Sequence, residues 1–308
     1  MKKVFIDGSA GTTGLRIKER LADRDDILLL TLPEELRKDD GARKEKLNEA
    51  DIAFLCLPDA ESIKAVSMIE NDQTAVLDTS TAHRTAEGWA YGFPELGSDY
   101  FERIRSGKRI AVPGCHASGF IALVAPLVKA GILDKDAVLS CTSLTGYSGG
   151  GKKMIAQYEE EGRDVLLGAP RTYGLSQTHK HLKEMKALCG IDEEPLFMPI
   201  VSDFYSGMSV SVPLHDHMVK GILADIKEVY GALYTGPVVR YVEENDEEGF
   251  LSAGKLSGKD GMEISVWGNE RRFVLNARYD NLGKGASGAA AECMNILLGA
   301  DPTKGLSL

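Results

Sequence analysis

No Cys-x-x-Cys pair occurs in this sequence, and its five cysteines, at positions 56, 115, 141, 189 and 293, are odd in number and scattered. That pattern excludes a disulfide framework and a zinc ribbon and suits a reducing compartment. No stretch approaches the ~20 consecutive apolar residues of a membrane-spanning helix. Between Met1 and the strand-like residues 4–6 there is no room for the apolar core of a signal peptide. The expectation is therefore a cytoplasmic protein with no membrane partner. Positive charge is also short: 36 Lys and Arg against 46 Asp and Glu leave a formal net charge of −10. This argues against a nucleic-acid-binding surface but leaves room for a locally positive cleft that takes a small anion. Repeats, low-complexity segments and proline-rich linkers are absent. What remains is a chain of 308 residues, 43% hydrophobic, long enough for two domains of roughly 150 residues.

Apolar residues 4–6 read as a strand, and residues 15–21 as a helix. Between them stands Asp7-Gly8-Ser9-Ala10-Gly11-Thr12-Thr13-Gly14. Glycines are needed where backbone amides approach a pyrophosphate closely, and the positive end of the following helix attracts its charge. The spacing is a loose variant of the dinucleotide fingerprint, with Gly8, Gly11, Thr12, Thr13 and Gly14 as the candidate cradle. Further strand-like runs at 27–32, 51–57 and 74–77 alternate with a helix over 60–70, the pattern of a Rossmann-type doubly wound parallel sheet. Pro58 follows the third strand, where a cofactor would lie, since ligands sit beyond the carboxyl ends of such strands. No acidic residue closes the second strand to grip a ribose hydroxyl, and Arg37 and Lys38 follow, which favours NADP over NAD.

Residues 109–112 form another strand, and Pro113-Gly114-Cys115 turns it into an apolar helical run over 116–127. A thiol that opens a helix feels the unsatisfied amides and the macrodipole, which lower its pKa and make it a nucleophile. Cys56, Cys141 and Cys293 sit inside apolar runs and Cys189 precedes a helix-ending glycine, so those four read as structural. Six histidines, 83, 116, 179, 181, 215 and 217, offer acid or base. The two His-x-His pairs invite a metal, but 179–184 leads into a helical pattern where residues two apart diverge, and 215–217 reads as a solvated loop. No metal is expected.

Seven motifs in order then carry a family resemblance: the glycine turn 8–14; Asp78-Thr79-Ser80-Thr81-Ala82-His83-Arg84; Tyr91-Gly92-Phe93-Pro94-Glu95-Leu96; Val112-Pro113-Gly114-Cys115; Ser148-Gly149-Gly150-Gly151-Lys152; the segment 179–184; and Asn281-Leu282-Gly283-Lys284-Gly285-Ala286-Ser287-Gly288. The chain resembles the N-acetyl-γ-glutamyl-phosphate reductases, in their shorter bacterial variety, within the semialdehyde dehydrogenase superfamily. The resemblance implies NADPH-dependent reduction of an acyl phosphate to an aldehyde through a cysteine thioester. It places the nucleophile on Cys115, the catalytic histidine on His179 and a supporting carboxylate on Glu184. It also puts Ser80 and Asn281 with the cofactor, and Arg84, Ser148 and Gly149 with the substrate. Two positions depart from the family pattern: His116 replaces an aromatic residue, and Ser206-Gly207-Met208 stands where longer relatives carry Arg-Gly. Relatives acting on aspartate semialdehyde or aminoadipate-type substrates share the cysteine and the nucleotide domain, and a redox sensor that binds NADP without turnover is the reading from another class.

Strand-like runs at 136–143, 209–214, 238–242, 262–267 and 273–279 suggest a second, α+β domain with a mixed sheet. Residues 221–234 carry Ile222, Ile226, Val229 and Leu233 at helical spacing, a core stripe. The acidic run 243–248 reads as a solvated face. The resemblance implies that the helix over 287–298 returns to the nucleotide domain, giving one domain of 1–114 plus 286–308 and a catalytic and dimerisation domain of 115–285. It also implies a homo-oligomer, dimer or tetramer.

Overall fold

In the computed structural model, which describes residues 1–308, the N-terminal apolar runs become strands whose two faces are both covered. β1 (Lys2–Asp7) leads through α1 (Thr12–Leu21) to β2 (Ile27–Leu30). Then follow α2 (Asp40–Glu49), β3 (Ile52–Leu55), α3 (Asp59–Ser67), β4 (Ala75–Asp78), β5 (Ala90–Tyr91), α4 (Ser98–Ser106) and β6 (Arg109–Ala111). All six strands are parallel, in the order β2-β1-β3-β4-β6-β5. Val4, Ile6, Phe54 and Leu77 enter one buried cluster, and Phe5, Leu55 and Val76 enter another. This is the period-two alternation of a sheet sandwiched between helices. Strand addition reverses direction between β1 and β3, so their carboxyl ends frame the crevice where doubly wound sheets bind ligands.

The chain divides by its internal contacts into two units, 1–114 with 286–306 and 115–285 with 307–308. The second unit opens with α5 (Cys115–Lys129), then β7 (Ser140–Gly146), α6 (Gly151–Glu159), β8 (Arg171–Thr172), α7 (Leu182–Cys189) and β9 (Leu196–Ser202). It continues with β10 (Met208–His215), α8 (Leu223–Leu233), β11 (Val239–Tyr241), β12 (Met262–Asn269) and β13 (Arg272–Tyr279). The sheet is mixed, ordered β11-β12-β13-β10-β7-β9-β8, and α5 lies on it. That helix is apolar nearly all round, which suits a helix covered on every side. Gly119 sets its distance from the sheet, because a Cβ there would lie 2.7 Å from both Tyr279 Oη and Val210. Finally α9 (Gly288–Leu297) rejoins the first unit, where Ala289, Ala290, Cys293, Met294 and Ile296 complete the cluster of Val4 and Leu77.

Three expectations need correction. β7 begins at Ser140 rather than 136, because Asp134 and Ala137 close a polar turn and Val138 is 81% exposed. The stripe of α8 is centred on Ile226 and Tyr230, and Ile222 lies outside the helix, exposed. The tyrosines win because Tyr230 and Tyr234 donate hydroxyl hydrogens to the carbonyls of Leu123 and Ala122 on α5. The acidic run is not wholly solvated, since Glu247 holds the buried Arg278 through both oxygens, at 2.8 and 2.9 Å.

Candidate active site

The glycine turn lies at the reversal point. Gly8 has φ +86°, and a Cβ there would come within 2.3 Å of the Cys56 carbonyl oxygen at the end of β3. A Cβ on Gly14 would come within 2.4 Å of the Gly8 oxygen. Gly11 is different: its nearest neighbour would be 3.4 Å away, so the fold itself leaves space there. Gly11 also precedes α1 with no side-chain cap, and Thr12 and Thr13 form the uncapped first turn beside it. An open glycine at an uncapped helix start is the chemistry a pyrophosphate needs. Asp7, ahead of the turn, is buried against Arg43 of α2, with Nη2 3.0 Å from Oδ2. Burial raises the Asp7 pKa although Arg43 acts against it.

Pro58 is exposed at the carboxyl end of β3. Ser80 is buried, and its hydroxyl donates to Asp78 at 2.7 Å, so it shapes the turn after β4. Asp78 also bonds Ser62 at 2.9 Å and His83. Arg84 donates to the carbonyls of Val112 and Thr79, both at 3.0 Å, and so ties the end of β4 to the segment that enters Pro113-Gly114. Arg37 pairs with Glu34 of its own turn.

In the second unit, Cys115 is the first residue of α5, half-buried, and none of the five cysteines is in a disulfide. The first-turn amides of His116 and Ala117 have no acceptor within the helix. Next to the thiol, His116 is 3% exposed, with Nδ1 2.6 Å from Ser143 Oγ and Nε2 2.6 Å from Tyr173 Oη. Burial, helped by His179, drives its pKa down to about 3, so the ring is neutral. Burial and then the charge of Cys115 push the Tyr173 phenol up. The ring of His179 lies edge-on to His116 at 5.7 Å and to His181 at 4.7 Å. His179 and His181 thus meet, contrary to the divergence expected of a helix, because α7 starts only at Leu182. His179 Nδ1 accepts from the His181 amide at 3.2 Å, so the neutral ring keeps its hydrogen on Nε2. Glu184 is buried in the first turn of α7. Burial, then the charge of Cys115 and, more weakly, Glu184, hold the Tyr279 phenol well above its usual range.

Ser148 is buried after β7, and Gly149 beside it is exposed. Asn281 joins them: Nδ2 donates to Ser148 Oγ at 2.9 Å, and Oδ1 accepts from the Gly207 amide at 2.9 Å. Asn281 is thus bonded at both ends within the second unit. His215, Asp216 and His217 gather at an exposed turn with ligand-type atoms within 4.8 Å, and Arg271 lies 3.8 Å from Asp216.

Comparison with known proteins bears on both units. Residues 8–104 match the model described as semialdehyde dehydrogenase, NAD binding domain, and residues 115–281 match semialdehyde dehydrogenase, dimerisation domain. An N-acetyl-γ-glutamyl-phosphate reductase of Brucella ovis is 45% identical over 306 residues, covering 96% of this chain and 99% of its own. That of Brucella anthropi is also 45% identical, covering 96% and 98%. The chain belongs to the semialdehyde dehydrogenase family, among the N-acetyl-γ-glutamyl-phosphate reductases. Its fold recurs in the aspartate semialdehyde dehydrogenase II of Vibrio cholerae solved with ASA, at TM-score 0.72 and 16% identity over 97% of this chain and 98% of that one. It recurs in the NADP-bound aspartate semialdehyde dehydrogenase of Candida albicans, at 0.68 and 15% over 97% and 98%.

Within this family member, several site residues escaped the sequence reading. Tyr173 and Ser143 carry no local motif, and only the fold brings them to His116. Asp280 is buried after β13, accepting from Ser206 at 2.7 Å and from the Leu282 amide at 2.6 Å. Its place at the head of a glycine-rich motif was the one available signal.

Proposed function

We propose that the protein reduces N-acetyl-γ-glutamyl phosphate to N-acetylglutamate semialdehyde and phosphate, with NADPH as reductant. The observation that carries the reading is Cys115 at an amide-rich helix start, followed by a neutral His116 whose ring meets that of His179. In the reaction, the Cys115 thiolate attacks the acyl carbon, the acyl–oxygen bond to phosphate breaks, and a thioester remains. The dinucleotide, when held by the glycine turn of the first unit, supplies the hydride that reduces this thioester. First-turn amides of α5 take up the charge that develops on oxygen, and His179 shares the hydrogen carried on Nε2 with that oxygen and takes it back as the intermediate collapses. Collapse of the resulting hemithioacetal regenerates the thiolate and releases the aldehyde. Ser148, Gly149 and Arg84 serve the substrate, and Gly8, Gly11, Thr12, Thr13, Gly14, Pro58 and Ser80 the cofactor. Asn281, which holds Ser148, lies with the cofactor, and Glu184 is the carboxylate that supports His179.

The domain that matches the dimerisation model pairs with a copy of itself, on the sheet face opposite α5. Register puts Leu144 beside Ile200, and Thr142 beside Met198, on that face, and Val274 there is 39% exposed. A mechanism that needs a reduced thiol fits the cytoplasm, and no helix is long and apolar enough to cross a membrane. The deciding measurement is phosphate-dependent reduction of NADP with N-acetylglutamate semialdehyde set against aspartate semialdehyde. A clear preference for the first supports the substrate, and equal or reversed rates refute it.

A further inference from the structure

We propose that Tyr279 is a positioning residue for Cys115: its hydroxyl bridges the first turn of α5 and fixes the nucleophile at the amide end of that helix. The inference rests on Cys115 being the attacking group. In an α-helix the amide of Gly119 would close directly on the carbonyl of Cys115, four residues earlier. Here Tyr279 Oη accepts from the Gly119 amide at 3.0 Å and donates to the Cys115 carbonyl. The hydroxyl therefore touches both ends of that bond and adds a second link across the first turn of α5. The relay from amide to hydroxyl to carbonyl runs in the same sense as the peptide dipoles of α5, so the positive end presented to the sulfur is kept.

Two glycines make this arrangement possible. Gly119 has no Cβ to meet the hydroxyl, which would lie 2.7 Å away. Gly285 stands six residues after Tyr279, where a Cβ would lie 3.0 Å from the Cβ of Cys115 and 3.4 Å from its Cα, and its amide donates to the Asp280 carbonyl at 3.0 Å. One segment thus touches the nucleophile from two sides, hydroxyl on carbonyl and glycine on Cβ. Tyr279 is fully buried, where a hydroxyl must find partners, and it finds them on the residue that does the chemistry. Facing this turn are His116 on α5, with the His179 ring edge-on to it, Tyr173 ahead of α7, which feels the charge of Cys115, and Tyr279 on β13, which feels both Cys115 and Glu184.

The test is Tyr279→Phe, with two readouts: the pH dependence of iodoacetamide alkylation at Cys115, followed by mass spectrometry without substrate, and kcat and KM in the semialdehyde assay. The alkylation midpoint should rise and kcat fall roughly tenfold or more, with KM little changed. An unchanged alkylation profile, even beside a lower melting temperature, would overturn the proposal by showing a purely structural hydroxyl. If the phenylalanine variant does not fold, Tyr279→3-fluorotyrosine keeps ring and hydroxyl and strengthens the donation. The midpoint should then fall, and a midpoint identical to the parent's would overturn the idea. Retained turnover in Cys115→Ser would instead defeat the nucleophile reading and this proposal with it, whereas a dead Cys115→Ser with an unshifted Tyr279→Phe removes only the role of Tyr279.

Discussion

Position separates the sulfurs of this chain: Cys141, Cys189 and Cys293 are buried, Cys56 is half-buried after β3, and Cys115 alone opens a helix. Loss of solvent around the sulfur pushes the Cys56 thiol up to about 12 and raises Cys141 and Cys189 as well. Cys115→Ser should abolish turnover while NADPH still binds, as followed by fluorescence titration; an active serine variant would refute the thioester. His179→Asn should lower kcat by about a hundredfold or more, the scale of general acid catalysis, and a near-normal rate would move the proton to another group. His116 makes a stability prediction. Its folded pKa of about 3 is below the 6.5 of an ordinary imidazole, so between those values the unfolded chain binds more protons. The sign follows: the stability due to a neutral His116 is complete above about pH 6.5 and is lost as pH falls towards 3. The full effect is about 3–5 kcal/mol. His116→Phe should flatten the fall in melting temperature between pH 6.5 and pH 4, and a parallel curve would show that other groups govern acid unfolding.

The turn after β1 shows what a glycine motif leaves undecided at the level of elements. Its existence and its strand-turn-helix setting were legible, because the residues that permit a tight turn are few. Which glycine serves the fold and which serves a ligand was not, since that depends on Cys56, 48 positions beyond Gly8. Gly8→Ala and Gly14→Ala should each destabilise the protein by about 2 kcal/mol or more, through strain and backbone clash. Gly11→Ala should leave the melting temperature almost unchanged and weaken NADPH binding; equal losses of stability at all three would contradict the distinction. In the first unit β1 to β4 and β6 were readable from their apolar runs, whereas α2 and α4, largely polar, went unread. In the second unit, α8 misled because tyrosines that bond α5 outweigh an isoleucine at the right spacing. The Ser143–His116–Tyr173 contacts and the bridge from Tyr279 to α5 join residues far apart in sequence, with no periodicity to announce them.

At the scale of the whole molecule, the first unit depends on a helix supplied by the end of the chain. Removing residues 286–308 strips Ala290, Met294 and Ile296 from the cluster that holds β1, β3 and β4. A chain ending at 285 should lose NADPH binding together with cooperative unfolding of the first unit, and a fully folded truncation would disprove that dependence. The proposed sheet-face contact is open to a similar test: Ile200→Asp should convert the oligomer to monomers by light scattering, and an unaltered mass would exclude that face. The structures of aspartate semialdehyde dehydrogenases share the fold at 15 to 17% identity, so architecture alone does not select the substrate. The proposed selectors are side chains such as Ser148 and the Ser206-Gly207 segment, which Asn281 joins by its two hydrogen bonds. The placement of one thiol alone at the start of a helix also has a pharmacological side: if Cys115 is the nucleophile, a weak electrophile shaped like the acyl phosphate should find one reactive partner per subunit, so that the fraction of protein it modifies reads as the fraction of catalysis it removes.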